Sequence, residues 1–228
     1  MSKSDHQPRK VRAVHVWDIA VRLFHWVLVA LIILSFTTAQ IGGNAMRIHE
    51  LSGFTILTLV LFRLLWGVFG STYARFSHFV RGPAQAFGYA RALARGRAPF
   101  HAGHNPLGGW MIVAMLLCLL IQAGTGLFAN DDIMTEGPLY PWVSKQTSDL
   151  LSRIHETNFY VLLALITLHV AAALYYLWGK RENLILPLFS GRKKVPETLQ
   201  AEESRGGPLW LAGLLLALCA GGVYFLVR

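Results

Sequence analysis

The chain is 228 residues long, 54% hydrophobic and only 14% charged, against about 25% charged in an ordinary soluble domain. Its apolar residues gather in blocks of about twenty, which excludes a soluble globular fold and indicates a polytopic membrane protein. The net charge of +9 does not signal nucleic acid: the basic residues alternate with segments poor in them, a pattern that orients a membrane protein in an anionic bilayer.

Residues 1–17 form a basic arm, with Lys3, Arg9, Lys10 and Arg12 against Asp5. The first apolar block, 19–40, follows. Thr37-Thr38-Ala39 weakly resembles a signal-peptide cleavage site. Cleavage there would discard His25 with its neighbours Arg22 and Trp26, so the block is read as a retained span. The short segment 41–48 contains Arg47 as its only charge, and the second span runs over 49–69. The connection 71–106 carries Arg75, Arg81, Arg91, Arg95 and Arg97 and no acid. Within it, 84–95 reads equally as an interfacial helix, with Phe87, Tyr89 and Leu93 interleaved with Arg91 and Arg95, or as an irregular basic loop. Asn105-Pro106 supplies an N-cap and a first-turn proline for the third span, 107–128.

The next loop, 129–152, sets Lys145 against Asp131, Asp132, Glu136 and Asp149. The fourth span, 154–178, leads into 179–207, which holds six basic and four acidic residues. Its part 190–207 reads as a linker to the fifth span, 208–227, which has no histidine and no charge before Arg228. The alternation places the N-terminus in the cytoplasm and, after five spans, Arg228 outside. The expected organisation is a basic arm (1–17), one membrane domain (18–196), and a linker with a fifth span (197–228). Cys118 and Cys219 each lie in an apolar block and read as free thiols. The absence of C-x-x-C-H excludes covalent c-type haem, and no cysteine cluster suits an iron–sulfur centre.

Four histidines lie in the spans: His25, His49, His155 and His169. His155 and His169 are fourteen residues apart, close to four turns, so they share a helix face roughly 21 Å apart along the axis. Topology pairs the four by depth. His25 and His169 lie toward the inner side, and His49 and His155 lie at the outer ends of their spans. Two neutral imidazoles facing each other from separate helices are what a b-type haem requires. A single such histidine could be a helix–helix hydrogen bond; two depth-matched pairs point to two haems. A metal transporter would instead bring its histidines to one site. Ile48-His49-Glu50 and Ile154-His155-Glu156 form a weak internal echo, but fourteen residues after His49 stands Arg63, not a histidine.

Arg22, three residues before His25 on the same face, is a candidate partner for a haem propionate; its other reading is an interfacial arginine reaching lipid phosphate. Gly53, Gly124 and Gly126 would let a porphyrin approach the backbone or let helices pack closely. Seven tryptophans, mostly near span ends, read as interface anchors. His104, before Asn105-Pro106, is a candidate hydrogen-bonding group for a propionate or a quinone carbonyl, with a surface histidine as its plainer reading. His6, His15, His78 and His101 read as solvated.

These stretches resemble the bacterial di-haem b-type cytochromes, the family of hydrogenase cytochrome b subunits and bacterial cytochrome b561. The resemblance rests on Val16-Trp17-Asp18 through Arg22-Leu23-Phe24-His25-Trp26, His49-Glu50-Leu51-Ser52-Gly53, Gly103-His104-Asn105-Pro106-Leu107-Gly108-Gly109, His155-Glu156, and His169 followed by Arg181-Glu182-Asn183-Leu184. It covers about residues 14–196 and leaves the fifth span outside. It implies an all-α membrane protein, an antiparallel four-helix bundle with two b haems, with His25, His49, His155 and His169 as iron ligands. It also implies a bacterial inner-membrane location and electron exchange with quinone and with a redox partner, often a hydrogenase or a c-type cytochrome.

Two functions then compete. One is an electron conduit between a periplasmic redox protein and quinone. The other is a self-sufficient oxidoreductase, such as a superoxide:quinone oxidoreductase or a ferric reductase. The outer loops 41–48 and 129–152 sum to −2, which suits a basic partner better than an anionic substrate. Asp131, Asp132, Glu136 and Asp149 are the expected docking face.

Overall fold

The computed structural model describes residues 11–133 and 135–228. Lys3, Asp5, His6, Arg9 and Lys10 of the basic arm lie outside the described residues. In chain order the elements are β1 (Val11–His15), α1 (Ile19–Ile41), α2 (Met46–Phe69), α3 (Phe76–Phe79), α4 (Pro83–Ala94), α5 (Pro106–Gly126), α6 (Lys145–Trp178), α7 (Leu186–Ser190), β2 (Arg192–Pro196) and α8 (Leu209–Leu226). Five helices, α1, α2, α5, α6 and α8, are long and apolar enough to cross a membrane.

Local chemistry sets the helix ends. Asp18 caps α1 by accepting the Val21 N–H at 2.7 Å. Gly42 ends it at φ +67, with its N–H on the Thr38 carbonyl. Asn105 caps α5 by accepting from Gly108 N at 2.8 Å, with Pro106 in the first turn, as the sequence indicates. The largest boundary difference is in α6, which starts nine residues before the expected span. Ser144 caps it, and its first turns are polar helix, held in part by Lys145 on Asp149, that a hydropathy window does not register. The stretch that read as helix or loop is helical, as α4, with Tyr89 buried and Phe87 exposed under the Arg91 guanidinium.

α2 is the central span. One part of it packs with Leu28 of α1, Leu116 and Leu119 of α5 and Leu162 of α6, around Ile56, Leu59 and Val60. Phe62 and Trp66 instead join a cluster with Ala212, Leu215 and Cys219 of α8. The fifth span is therefore a packed neighbour of α2, not a detached anchor. Gly206 and Gly207, at φ +78 and +68, turn the chain into α8, and a Cβ on Gly207 would lie 2.7 Å from Ser71 N. Cys118 and Cys219 are free thiols.

The end where α1 begins is closed by a clasp that the sequence reading did not contain. β1, from the arm, pairs antiparallel with β2, from the segment read as linker, with Val11 opposite Pro196 and His15 opposite Arg192. Val14 and Val195 are fully buried beneath it. Lys193 turns inward to Glu182 at 2.8 Å and to the His101 carbonyl at 2.8 Å. The rest of the linker is tied down as well: Arg12 donates to Ala201 O, Tyr73 to Glu202 O, and Thr72 N to Arg205 O.

Asp18 links three parts of this end. Besides capping α1, its second oxygen accepts from Trp66 Nε1 at 3.1 Å and from the Ser71 hydroxyl. Asp18→Ala removes the cap and leaves two buried donors unpaired. Unfolding of the detergent-purified protein should show a loss of about 1–3 kcal/mol, with a smaller loss for Asp18→Asn, which keeps an acceptor.

Candidate cofactor site

The four intramembrane histidines meet in two pairs at opposite ends of the bundle. His25 of α1 faces His169 of α6 with ring centres 6.5 Å apart. His49 of α2 faces His155 of α6 with ring centres 6.1 Å apart. All four side chains are half-buried. α6 therefore supplies one ring to each pair, as its fourteen-residue spacing requires.

At the far end the imidazoles are held by backbone. His49 Nδ1 lies 2.9 Å from the Ser35 carbonyl of α1, and His155 Nδ1 lies 2.8 Å from the Gln122 carbonyl of α5. A carbonyl oxygen can only accept, so Nδ1 carries the proton and Nε2 presents its lone pair. This is the outer hydrogen bond that metal-bound histidines ordinarily make. Asn158, one turn beyond His155, donates to Cys118 O at 2.9 Å and to Gln122 Oε1 at 2.7 Å, fixing α5 against α6 at that level. Gly126 lets the His155 ring lie close: a Cβ there would stand 3.0 Å from its Cε1. A Cβ on Gly53 or Gly124 would meet nothing within 4 Å. The sequence reading passed over Ser35, Gln122 and Asn158. Their signal was present, as polar side chains inside apolar spans and, for Asn158, a three-residue spacing from His155.

The other pair is set differently. Trp26 lies edge-on to His25 at 4.9 Å and donates its Nε1 to Leu188 O. Arg22 donates from Nε to Leu188 O and from Nη2 to Phe189 O, gripping α7. The sequence-predicted propionate partner thus already holds backbone carbonyls. Among the described residues His25 Nδ1 is buried with no hydrogen-bond partner, and the same is true of Arg63 Nη1.

His104 stands in an aromatic corner, 4.5 Å from the Trp17 ring and 5.1 Å edge-on to Phe79. Burial, then the nearby Arg63 charge, pulls its pKa down to about 3, so it is neutral at physiological pH. It lines a cavity of about 400 Å³ together with Tyr73, His78, Arg81, His101 and Glu202. His15, His78 and His101, expected to be solvated, are half-buried. The folded linker and the α3–α5 connection cover this end. Burial lowers the pKa of both His78 and His101.

The donor sets fit haem. An iron could be held between His25 and His169, with ring centres 6.5 Å apart, and between His49 and His155, at 6.1 Å. Among the described residues no group of three or more His, Cys, Asp or Glu side chains could hold a metal ion; each pair offers two nitrogens, the number that a porphyrin-bound iron leaves open.

The family model for prokaryotic cytochrome b561 matches residues 16–191. A protein of Rhizobium leguminosarum bv. viciae, described as a probable Ni/Fe-hydrogenase B-type cytochrome subunit, is 24% identical over 80% of this chain and 89% of its own length. No solved structure matches.

Gly126 provides a selective test of the far-end pair. Gly126→Val should displace His155 and reduce haem retention at the His49–His155 site, while the His25–His169 site stays filled. Haem quantification with a reduced-minus-oxidised spectrum reads this; full haem content in the variant would show that the close approach is dispensable.

Proposed function

The chain belongs to the prokaryotic cytochrome b561 family, a family of membrane haem b electron-transfer proteins, and we propose that it carries two haems and passes electrons across the membrane between quinone and a periplasmic redox partner. The observation that carries this reading is the pair of facing imidazole sets, at 6.5 and 6.1 Å, at opposite ends of one bundle. Haem bound there supplies one-electron redox chemistry at two depths. The chain supplies the ligands: His25 and His169 on the cytoplasmic side, His49 and His155 on the periplasmic side. The N-terminus lies in the cytoplasm and the C-terminus outside, because segment 71–106 carries five arginines and no acid while 41–48 and 129–152 are poor in basic residues.

Quinone exchanges electrons at the cytoplasmic end. Neutral His104 can donate or accept a hydrogen bond without bringing charge, and its cavity gives access to it. Purified protein should contain two b haems per chain. His155→Ala should remove one and leave the other visible, and His25→Ala should do the reverse. His104→Ala should keep both haems and slow quinol-driven reduction. One haem or none in the wild type, with haem not limiting, refutes the ligand assignment; unchanged quinol kinetics in His104→Ala removes His104 from the quinone site.

The periplasmic partner is a hydrogenase or a c-type cytochrome. The hydrogenase option draws on the description of the Rhizobium relative. The c-type option draws on the acidic loop, although Lys145 bridges Asp132 and Asp149 at 2.5 and 2.7 Å and so offsets part of that charge. Neutralising Asp131, Asp132, Glu136 and Asp149 together should slow reduction by a basic c-type cytochrome at low salt and flatten its salt dependence. Stopped-flow rates in the unmodified protein that ignore salt, or rise with it, would favour the membrane-docked hydrogenase or a self-sufficient oxidoreductase acting on an anion.

A further inference from the structure

α2 carries a guanidinium where the internal echo would place a third imidazole at the His25–His169 level. Arg63 follows His49 by fourteen residues, as His169 follows His155, so it lies on the His49 face of its helix and toward the His25–His169 level. The residue is only 3% exposed. Its guanidinium carbon lies 5.2 Å from the centre of the Phe76 ring and 6.0 Å from that of Phe79. Phe76 is seated by Gly67, where any Cβ would run into the ring.

Among the described residues this cation has no anion in direct contact: its Nη1 has no hydrogen-bond partner and it forms no salt bridge. Asp18 is the carboxylate whose charge it feels, but the oxygens of Asp18 are taken by Val21 N, Trp66 and Ser71. Arg22 already donates to the carbonyls of α7. After burial, the charges of Arg63, Lys193, His169 and His25 all act on His104, so Arg63 and the His25–His169 pair lie toward the same end of the bundle. An unpaired buried charge in a span is strongly unfavourable, and such residues mark functional sites.

We propose that Arg63 is the internal counter-ion for a propionate carboxylate of the haem held by His25 and His169. The inference rests on the reading that a haem binds there. Phe76 and Phe79 exclude water from the pair, and Asp18 keeps the site from carrying a full unbalanced charge before haem enters. A guanidinium is suited to this because it holds a carboxylate by two parallel hydrogen bonds.

The test is redox potentiometry of the purified holoprotein, with the two midpoints assigned by the His25→Ala and His155→Ala variants. Arg63→Gln should retain both haems but lower the midpoint of the His25–His169 haem, because an unneutralised carboxylate beside the iron favours the oxidised state. Each tenfold change in that preference is about 59 mV for one electron. The His49–His155 midpoint should not move, and Arg63→Lys should recover most of the shift. Equal midpoints in Arg63→Gln and wild type overturn the proposal. A second measurement uses the unmodified chain, so it does not depend on a variant accumulating. Reconstitution with haem dimethyl ester, whose propionates are blocked, should fill the His25–His169 site less completely than the His49–His155 site. Equal filling of both also overturns the proposal. A wild-type content other than two haems would instead refute the cofactor reading on which it rests.

Discussion

Two pairs of imidazole rings set close together inside an apolar slab form the constraint from which the rest of this structure follows. At 6.1–6.5 Å between ring centres the rings stand too far apart to hydrogen-bond and too close to be independent. Apolar surroundings offer them no water, and an unfilled polar site of this kind is costly. The separation is one that an iron-bound porphyrin would fill, and α1 and α6 on one side and α2 and α6 on the other carry the rings to it. α2 takes up the direct packing, and it is by far the most buried of the spans. Gly53 and Gly124 face open space.

A bundle with open space between its spans has to be fixed elsewhere, which gives the polar end its role. Asp18 joins the start of α1 to the end of α2. The β1–β2 pair joins the segment before α1 to the segment after α6. Lys193 is 4% exposed and reaches both Glu182 and the His101 carbonyl, so one buried charge ties the α6 exit to the α4–α5 connection. Burial draws its pKa below the ordinary lysine range, while Glu182 opposes that shift. α8 then covers the face of α2 turned away from the histidines.

The spans and their pairing by depth were legible because each rests on a strong one-dimensional signal. Apolar runs locate helices to within a residue or two where a cap sits at the boundary, as at Asp18 and Asn105. The fourteen-residue spacing on α6 survives folding unchanged because a helix is a rigid ruler. Where the signal was long-range, the sequence was mute. Arg192-Lys193-Lys194 reads as solvated linker because its charge outweighs its alternation, yet the partner strand 180 residues away turns Lys193 inward. His78 and His101 read as surface groups because the linker that buries them comes a hundred residues later. The polar side chains of Ser35 and Gln122 mark their spans, but that it is their backbone carbonyls that orient two of the imidazoles depends on helix packing, which no local pattern records.

The two ends of the bundle are not equivalent, and the difference has an energetic sign. At the far end both Nδ1 atoms donate to carbonyls, which makes Nε2 a more basic ligand and favours the more oxidised state of a bound metal. At the other end His25 Nδ1 has no acceptor, and a buried guanidinium stands nearby, a charge that favours the more reduced state. The two ends would therefore hold a bound metal at different potentials, and the carbonyls of α1 and α5 at one end and the buried Arg63 at the other are the groups that set the difference.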